Sequence, residues 1–158
     1  MPDLLTDWRE TVEQAADTWR RLPDERARLP VAPGKWSTKE VVGHLVDSAA
    51  HNHQRFVRAQ WIANLICTPY DQDEWVGTQR YIDAPWPELV ELFRTYNNHL
   101  ARVVEALPDA VLDRRRHRHN LHVVAWQPIA EDTPVTLRWF VTDYVAHLTH
   151  HVRSTAPR

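Results

Sequence analysis

The sequence has 158 residues, with 19 Lys and Arg against 21 Asp and Glu and a formal net charge of −2 when histidine is neutral. That length is enough to bury a real core within one domain, taken as residues 1–158, and the charge balance provides no basic field for nucleic acid. The 3 glycines cannot furnish a Gly-rich phosphate loop, and the single Cys67 excludes an internal disulfide. With neither a signal core nor an apolar run of membrane-spanning length, the chain reads as cytoplasmic, with no membrane and no nucleic-acid partner.

In chain order, Leu4, Leu5, Trp8, Val12, Ala15, Ala16, Trp19 and Leu22 fall on one helical stripe that Pro23 closes. Ser37-Thr-Lys-Glu40 supplies a hydroxyl cap with a glutamate three residues later, the capping-box pattern. The second helix it opens is expected to run through Val41, Leu45, Ala49, Phe56 and Ile62 to about Ile66. Cys67 to Thr78, interrupted by Pro69 and Gly77, reads as an ordered loop. A third helix starts at Asp83, with Pro85 and Pro87 just beyond, and keeps helical spacing from Leu89 through Leu100 and Val104 until Pro108. Periodicity fades over residues 109–132, where Arg114 to Trp126 fits either a short strand pair or an extended crossover. Thr133 or Thr136 then caps a last helix reaching about Ser154. Four amphipathic helices with a long crossover before the last one predict an all-α four-helix bundle, in which sites are built from side chains projecting inward from facing helices.

The last helix contains Val145-Ala-His147-Leu-Thr-His150-His151-Val152. At about 100° per residue, His147 and His151 point the same way, with His150 and Asp143 on the same broad arc. Two imidazoles a turn apart are half of a site suited to Zn, Ni, Fe or Mn. His44, on the second helix, is available as the third ligand if the two helices are neighbours, and three neutral nitrogens leave a coordination position open, as catalytic sites do. The chain has no Glu-x-x-His and no His-Glu-x-x-His, so a ferritin-type di-iron centre and zincin chemistry are excluded. His51 and His53 read as decoration of the second helix, with His51 near enough to His44 to support it. His117, His119 and His122 are interleaved with arginines and read as a solvated strand or loop. His99 has no visible partner, and Trp8, Trp19, Trp36, Trp61, Trp86 and Trp139 read as core or groove fillers rather than a cofactor box.

Three stretches resemble the DinB/YfiT-like family of metal-dependent enzymes, most closely its YfiT branch: Pro33-Gly-Lys-Trp36 through His44 to Ser48 with Arg55-Phe56 following, then Pro69-Tyr70-Asp71 with Trp75, and Tyr144-Val-Ala-His147-Leu-Thr-His150-His151. The resemblance implies an up-down-down-up four-helix bundle, often a homodimer, with one divalent metal ion on His44, His147 and His151. It further implies thiol S-transfer from a low-molecular-weight cosubstrate of bacillithiol or mycothiol type to a small-molecule electrophile. Hydrolysis by metal-activated water, or a non-catalytic metal-binding or damage-response bundle, stand as alternatives. Tyr70 and Asp71 are expected at the cavity mouth, and Tyr70, Asp143 and His150 are the candidate catalytic or ligand-orienting groups.

Overall fold

The computed structural model describes residues 1–155. Its frame is four long helices: α1 (Pro2–Arg20), α2 (Thr38–Arg58), α3 (Trp86–Glu105) and α4 (Leu137–Ser154). α1 buries the stripe Leu5, Trp8, Val12, Ala15, Ala16 and Trp19. α2 starts at the expected capping box: Ser37 Oγ accepts from the Glu40 N–H, and the Glu40 carboxylate accepts from the Ser37 N–H at 2.7 Å. α4 starts after Thr136, whose Oγ1 accepts from the Trp139 N–H at 3.1 Å. Each cap satisfies a backbone donor that the helix itself leaves free, contributing about 1 kcal/mol.

Cross-helix contacts determine the topology. Arg9 pairs with Glu105 and Arg20 with Glu91, so α1 and α3 are antiparallel. Trp8 meets Tyr144 while Trp19 donates to Thr155, so α1 and α4 are parallel. His44 meets His147 whereas Phe56 meets Phe140, making α2 antiparallel to α4. α2 therefore runs with α3, and the bundle is up-down-down-up, with α1 and α2 each packed on both α3 and α4. The link between α1 and α2 must cross the diagonal of the bundle. It is tied down by buried Lys39, whose Nζ lies 2.7 Å from the Asp24 carboxylate.

Trp8, Trp19, Phe56, Phe93, Phe140, Leu45 and Leu100 fill the centre, each contributing roughly 1.5–3 kcal/mol through lost apolar surface. The indole of Trp86 donates to the carbonyls of Trp19 and Leu22 at 3.0 Å and closes the end of α1. The phenol of Tyr144, fully inside, donates to Asn97 Oδ1 at 2.6 Å. No helix among the described residues is long and apolar enough to cross a membrane.

Three sequence expectations are corrected in detail, and of the two alternatives for residues 109–132 the structure takes the crossover. α2 stops at Arg58 rather than near Ile66, because Trp61 and Ile62 find no core to enter and remain exposed. The Arg116 guanidinium instead takes the Ala59 carbonyl at 2.9 Å, and Leu65 pairs its N–H with the Arg118 carbonyl. The expected loop after Cys67 contains a helix, Gln72–Gln79, capped by Asp71 and ended by Arg80 in the left-handed region at φ 53°. α3 begins at Trp86, and Asp83 belongs to the preceding 3-10 turn, where it is bonded to Arg80. Residues 109–132 are an extended crossover with helical turns at Asp109–Leu112 and Leu121–Val124, pinned by isolated bridges from Leu65 to His119 and Arg116 to Val135.

Candidate metal centre

Antiparallel packing of α2 on α4 brings His44 against the His147/His151 pair. Ring centroids are 5.1 Å apart for His44 and His147, 4.9 Å for His44 and His151, and 4.5 Å for His147 and His151. One ring nitrogen from each lies within 4.8 Å of the other two, and among the described residues this is the one such group of ligand-type side chains. The Nε2 atoms of His44 and His147 face each other at 3.2 Å. Two nitrogens bound at about 2.0–2.1 Å around a tetrahedral zinc stand about 3.3 Å apart, so that spacing fits a shared ion.

The electrostatics agree with the spacing. His44 is 1 % exposed, and desolvation, helped by nearby His151, pushes its pKa down to about 3. Burial and the neighbouring imidazoles bring His147 to about 2, and burial with His150 brings His151 to about 4. All three rings are therefore neutral at pH 7, with lone pairs free to bind a cation. His44 Nδ1 is buried with no partner, so no protein acceptor fixes its tautomer.

Surrounding residues hold this end of α2 in place. A Cβ on Gly43 would collide with the Tyr81 ring, so only glycine lets that ring lie flat on the helix beside His44. The Tyr81 hydroxyl and the Gln79 amide both donate to Asp47 Oδ1 at 2.6 Å. Desolvation raises the pKa of the Asp47 carboxyl, while those two donors oppose the rise. The Trp36 ring stands 5.1 Å from His44.

His44 and His147 open onto a cavity of about 280 Å³ lined also by Arg55, Tyr70, Trp126 and Asp143 among others, while His151 faces a second hollow. Tyr70 stacks on His51 at 3.8 Å and packs edge-on to Trp75, and burial raises its pKa to about 12, so it presents a neutral hydroxyl. His51 donates from Nδ1 to the Asp47 carbonyl at 2.9 Å and serves as Tyr70's stacking partner. Asp71 caps the Gln72–Gln79 helix. Asp143, expected to orient an imidazole or move protons, instead accepts the backbone N–H groups of Trp126 and Gln127 at 3.0 and 2.7 Å, both oxygens thereby holding the crossover. His150 is exposed at the rim, its ring 5.3 Å from Trp126 and 5.4 Å from His151, facing that second, larger hollow beside Trp36. From sequence, Arg55 enters only as part of the family resemblance and with no role, and Trp126 only as the end of an aperiodic stretch; an arginine near a helix end and a tryptophan in such a stretch carry no signal of their own.

The DinB superfamily profile matches residues 7–154. No curated protein matches the sequence. Among solved structures, YfiT from Bacillus subtilis, a probable metal-dependent hydrolase with an unusual four-helix bundle topology, superposes with a TM-score of 0.74 at 19% identity, over 96% of this chain and 83% of that one. At that identity the likeness concerns the fold, and the up-down-down-up arrangement derived above is its counterpart here. With the profile spanning all four long helices, the chain belongs to the DinB superfamily.

Proposed function

We propose that the protein is a divalent-metal-dependent enzyme that transfers a low-molecular-weight thiol, of bacillithiol or mycothiol type, to a small electrophile. The observation that carries this reading is the convergence of three neutral imidazoles, two of which, His44 and His147, line a cavity, with no carboxylate in the donor set. His44, His147 and His151 would hold the ion, which when bound supplies Lewis-acid activation and makes a thiol ionised at neutral pH.

The remaining steps belong to the chain. Tyr70, neutral and stacked in place by His51, donates a hydrogen bond to the electrophile as charge develops on it. Sulfur forms the new bond to carbon as the leaving group departs with its electron pair, and the thiol proton passes to solvent, with His150 at the rim as the proposed carrier. Asp143 keeps Trp126 over the histidines and so limits water access. The absence of a free carboxylate at the cluster favours thiol transfer over hydrolysis, because an ionised thiol needs no general base whereas an attacking water benefits from one.

A second reading, hydrolysis, is supported by the likeness to YfiT. Elemental analysis of untagged protein beside His44→Ala and His151→Ala, followed by a thiol-consumption assay with a reactive electrophile, separates the two. About one ion per chain, lost in both variants, with metal-dependent thiol consumption, is the expected result. Bound metal with turnover that needs no thiol would replace transfer by hydrolysis, and no metal under any loading condition would sink both. A homodimer is part of the same proposal, and sedimentation tests it.

A further inference from the structure

We propose that the cavity recognises a small molecule carrying a carboxylate, which pairs with the guanidinium of Arg55 while the rest of the molecule extends toward His44 and His147. This rests on the reading of the histidines as the reactive centre, but the binding step itself requires no metal.

The argument begins on α2. His44, Ser48, Asn52 and Arg55 recur at helical spacing and all line the same cavity, so one face of one helix forms its floor. Arg55 is half-buried there, and desolvation pulls its pKa below the ordinary arginine value. Buried guanidinium groups are normally paired with carboxylates. Among the described residues Arg55 has no carboxylate within 4 Å: its partners are the Thr68 carbonyl at 3.0 Å and Asn52 Oδ1 at 3.4 Å, both neutral. Its Cζ also lies 6.0 Å from the centre of the Phe140 ring. These contacts use two of the group's five N–H donors and hold it without neutralising it.

Six other arginines contrast with this one, while buried Arg116, also without a carboxylate, does not line the cavity and is held by the Val111, Arg114 and Ala59 carbonyls. Arg9, Arg20, Arg28, Arg80, Arg94 and Arg138 all lie against carboxylates at the surface, where water would have sufficed. The cation inside the cavity lacks a counter-ion. Asp143, the one acid lining the cavity, has both oxygens taken by backbone N–H groups.

Arginine's fork matches a carboxylate in two parallel hydrogen bonds. Between residues 44 and 55 the helix rises roughly 16 Å, and an arginine on a helix leans back toward the N-terminus. The molecule that fits is therefore extended, with its acid group several bonds from the atom presented to the histidines.

The test uses metal-stripped protein, so that it is independent of the ion. Hexanoate, hexanamide and inorganic phosphate serve as probes, with binding read from the Arg55 Nε–H resonance and by calorimetry. Hexanoate is expected to bind saturably and shift that resonance, with hexanamide weaker by about tenfold or more and Arg55→Gln weakening hexanoate by a similar factor. Equal binding of hexanoate and hexanamide, or binding unchanged in Arg55→Gln, would overturn the proposal, as would phosphate binding more tightly than hexanoate. If Arg55→Gln fails to fold, the contrast between the two hexyl probes on the wild-type protein decides alone. Loss of carboxylate binding with metal content intact refutes this subsite only, whereas a chain that binds hexanoate but no metal refutes the catalytic reading.

Discussion

Two groups of three histidines occupy this chain, and they differ in what surrounds them rather than in composition. His44, His147 and His151 project from two facing helices into one shared space, with Nε2 atoms of two of them 3.2 Å apart. In the crossover, His117 and His122 are exposed, and buried His119 uses both nitrogens structurally. Its Nδ1 accepts from the Leu121 N–H at 3.1 Å, and its Nε2–H donates to the Thr133 carbonyl at 2.9 Å. A histidine whose two nitrogens are satisfied by backbone is a strut; one whose lone pair faces other lone pairs is placed as a metal ligand would be.

Exchanging the two kinds gives the largest expected effect. His147→Ala removes a central donor, and bound metal should fall from about one ion per chain to near zero while the helical circular dichroism signal persists. His119→Ala should leave metal content unchanged and lower stability by about 2 kcal/mol, because a buried N–H and a buried carbonyl lose their partners. Elemental analysis and urea denaturation on the two variants check this pair. Metal retained in His147→Ala, or lost in His119→Ala, would break the distinction.

Acid sharpens the same contrast. Burial holds His44 at about 3 and His147 at about 2, against 6.5 for a free imidazole. Below about pH 6.5 the unfolded chain takes up protons that the folded chain refuses, so the unfolded state binds more protons and stability decreases as the pH is lowered. The contribution is fully present above pH 6.5 and is lost progressively as pH drops toward the folded-state values. Each deeply buried ring contributes at most about 1.4 kcal/mol per pH unit, and the more exposed His151 less after solvent screening. Urea midpoints of metal-free protein at pH 7.5, 6 and 5 should therefore decline more steeply for wild type than for His147→Ala. Parallel declines would mean that the cluster titrates like free histidine.

How far these features could be read from sequence follows their range. Local signals succeeded: the Ser37/Glu40 box, the Thr136 cap and the i, i+4 spacing of His147 and His151 are decided within a few residues. The convergence of His44 on that pair depends on which helices are neighbours, which the family resemblance implied and the cross-helix contacts bear out. The end of α2 was misread because Trp61 and Ile62 continue the apolar pattern, while the chain is turned by Arg116, which lies far away in sequence. The Gln72–Gln79 helix was hidden by Pro69 and Gly77, which read as breakers although the Asp71 cap sits between them. Arg55 was invisible as a binding group because what distinguishes it is the lack of a counter-ion, a property of the fold.

Asp143 yields the smallest effect and tests the boundary between strut and ligand within α4 itself. Its position a turn before His147 suggested an orienting carboxylate, yet its oxygens accept from the Trp126 and Gln127 N–H groups. Desolvation raises its pKa and those two backbone donors lower it, so its ionised form is supported by the crossover rather than by an imidazole. Asp143→Asn keeps the shape but turns one acceptor into an NH2 group facing a backbone N–H, which should cost about 1 kcal/mol and loosen the Trp126 segment. Amide hydrogen exchange at Trp126 and Gln127 should accelerate while metal content stays at the wild-type level. If metal were lost instead and exchange left unchanged, Asp143 would have to act through the histidines, and the strap connecting crossover to helix would not be what holds Trp126 over the site.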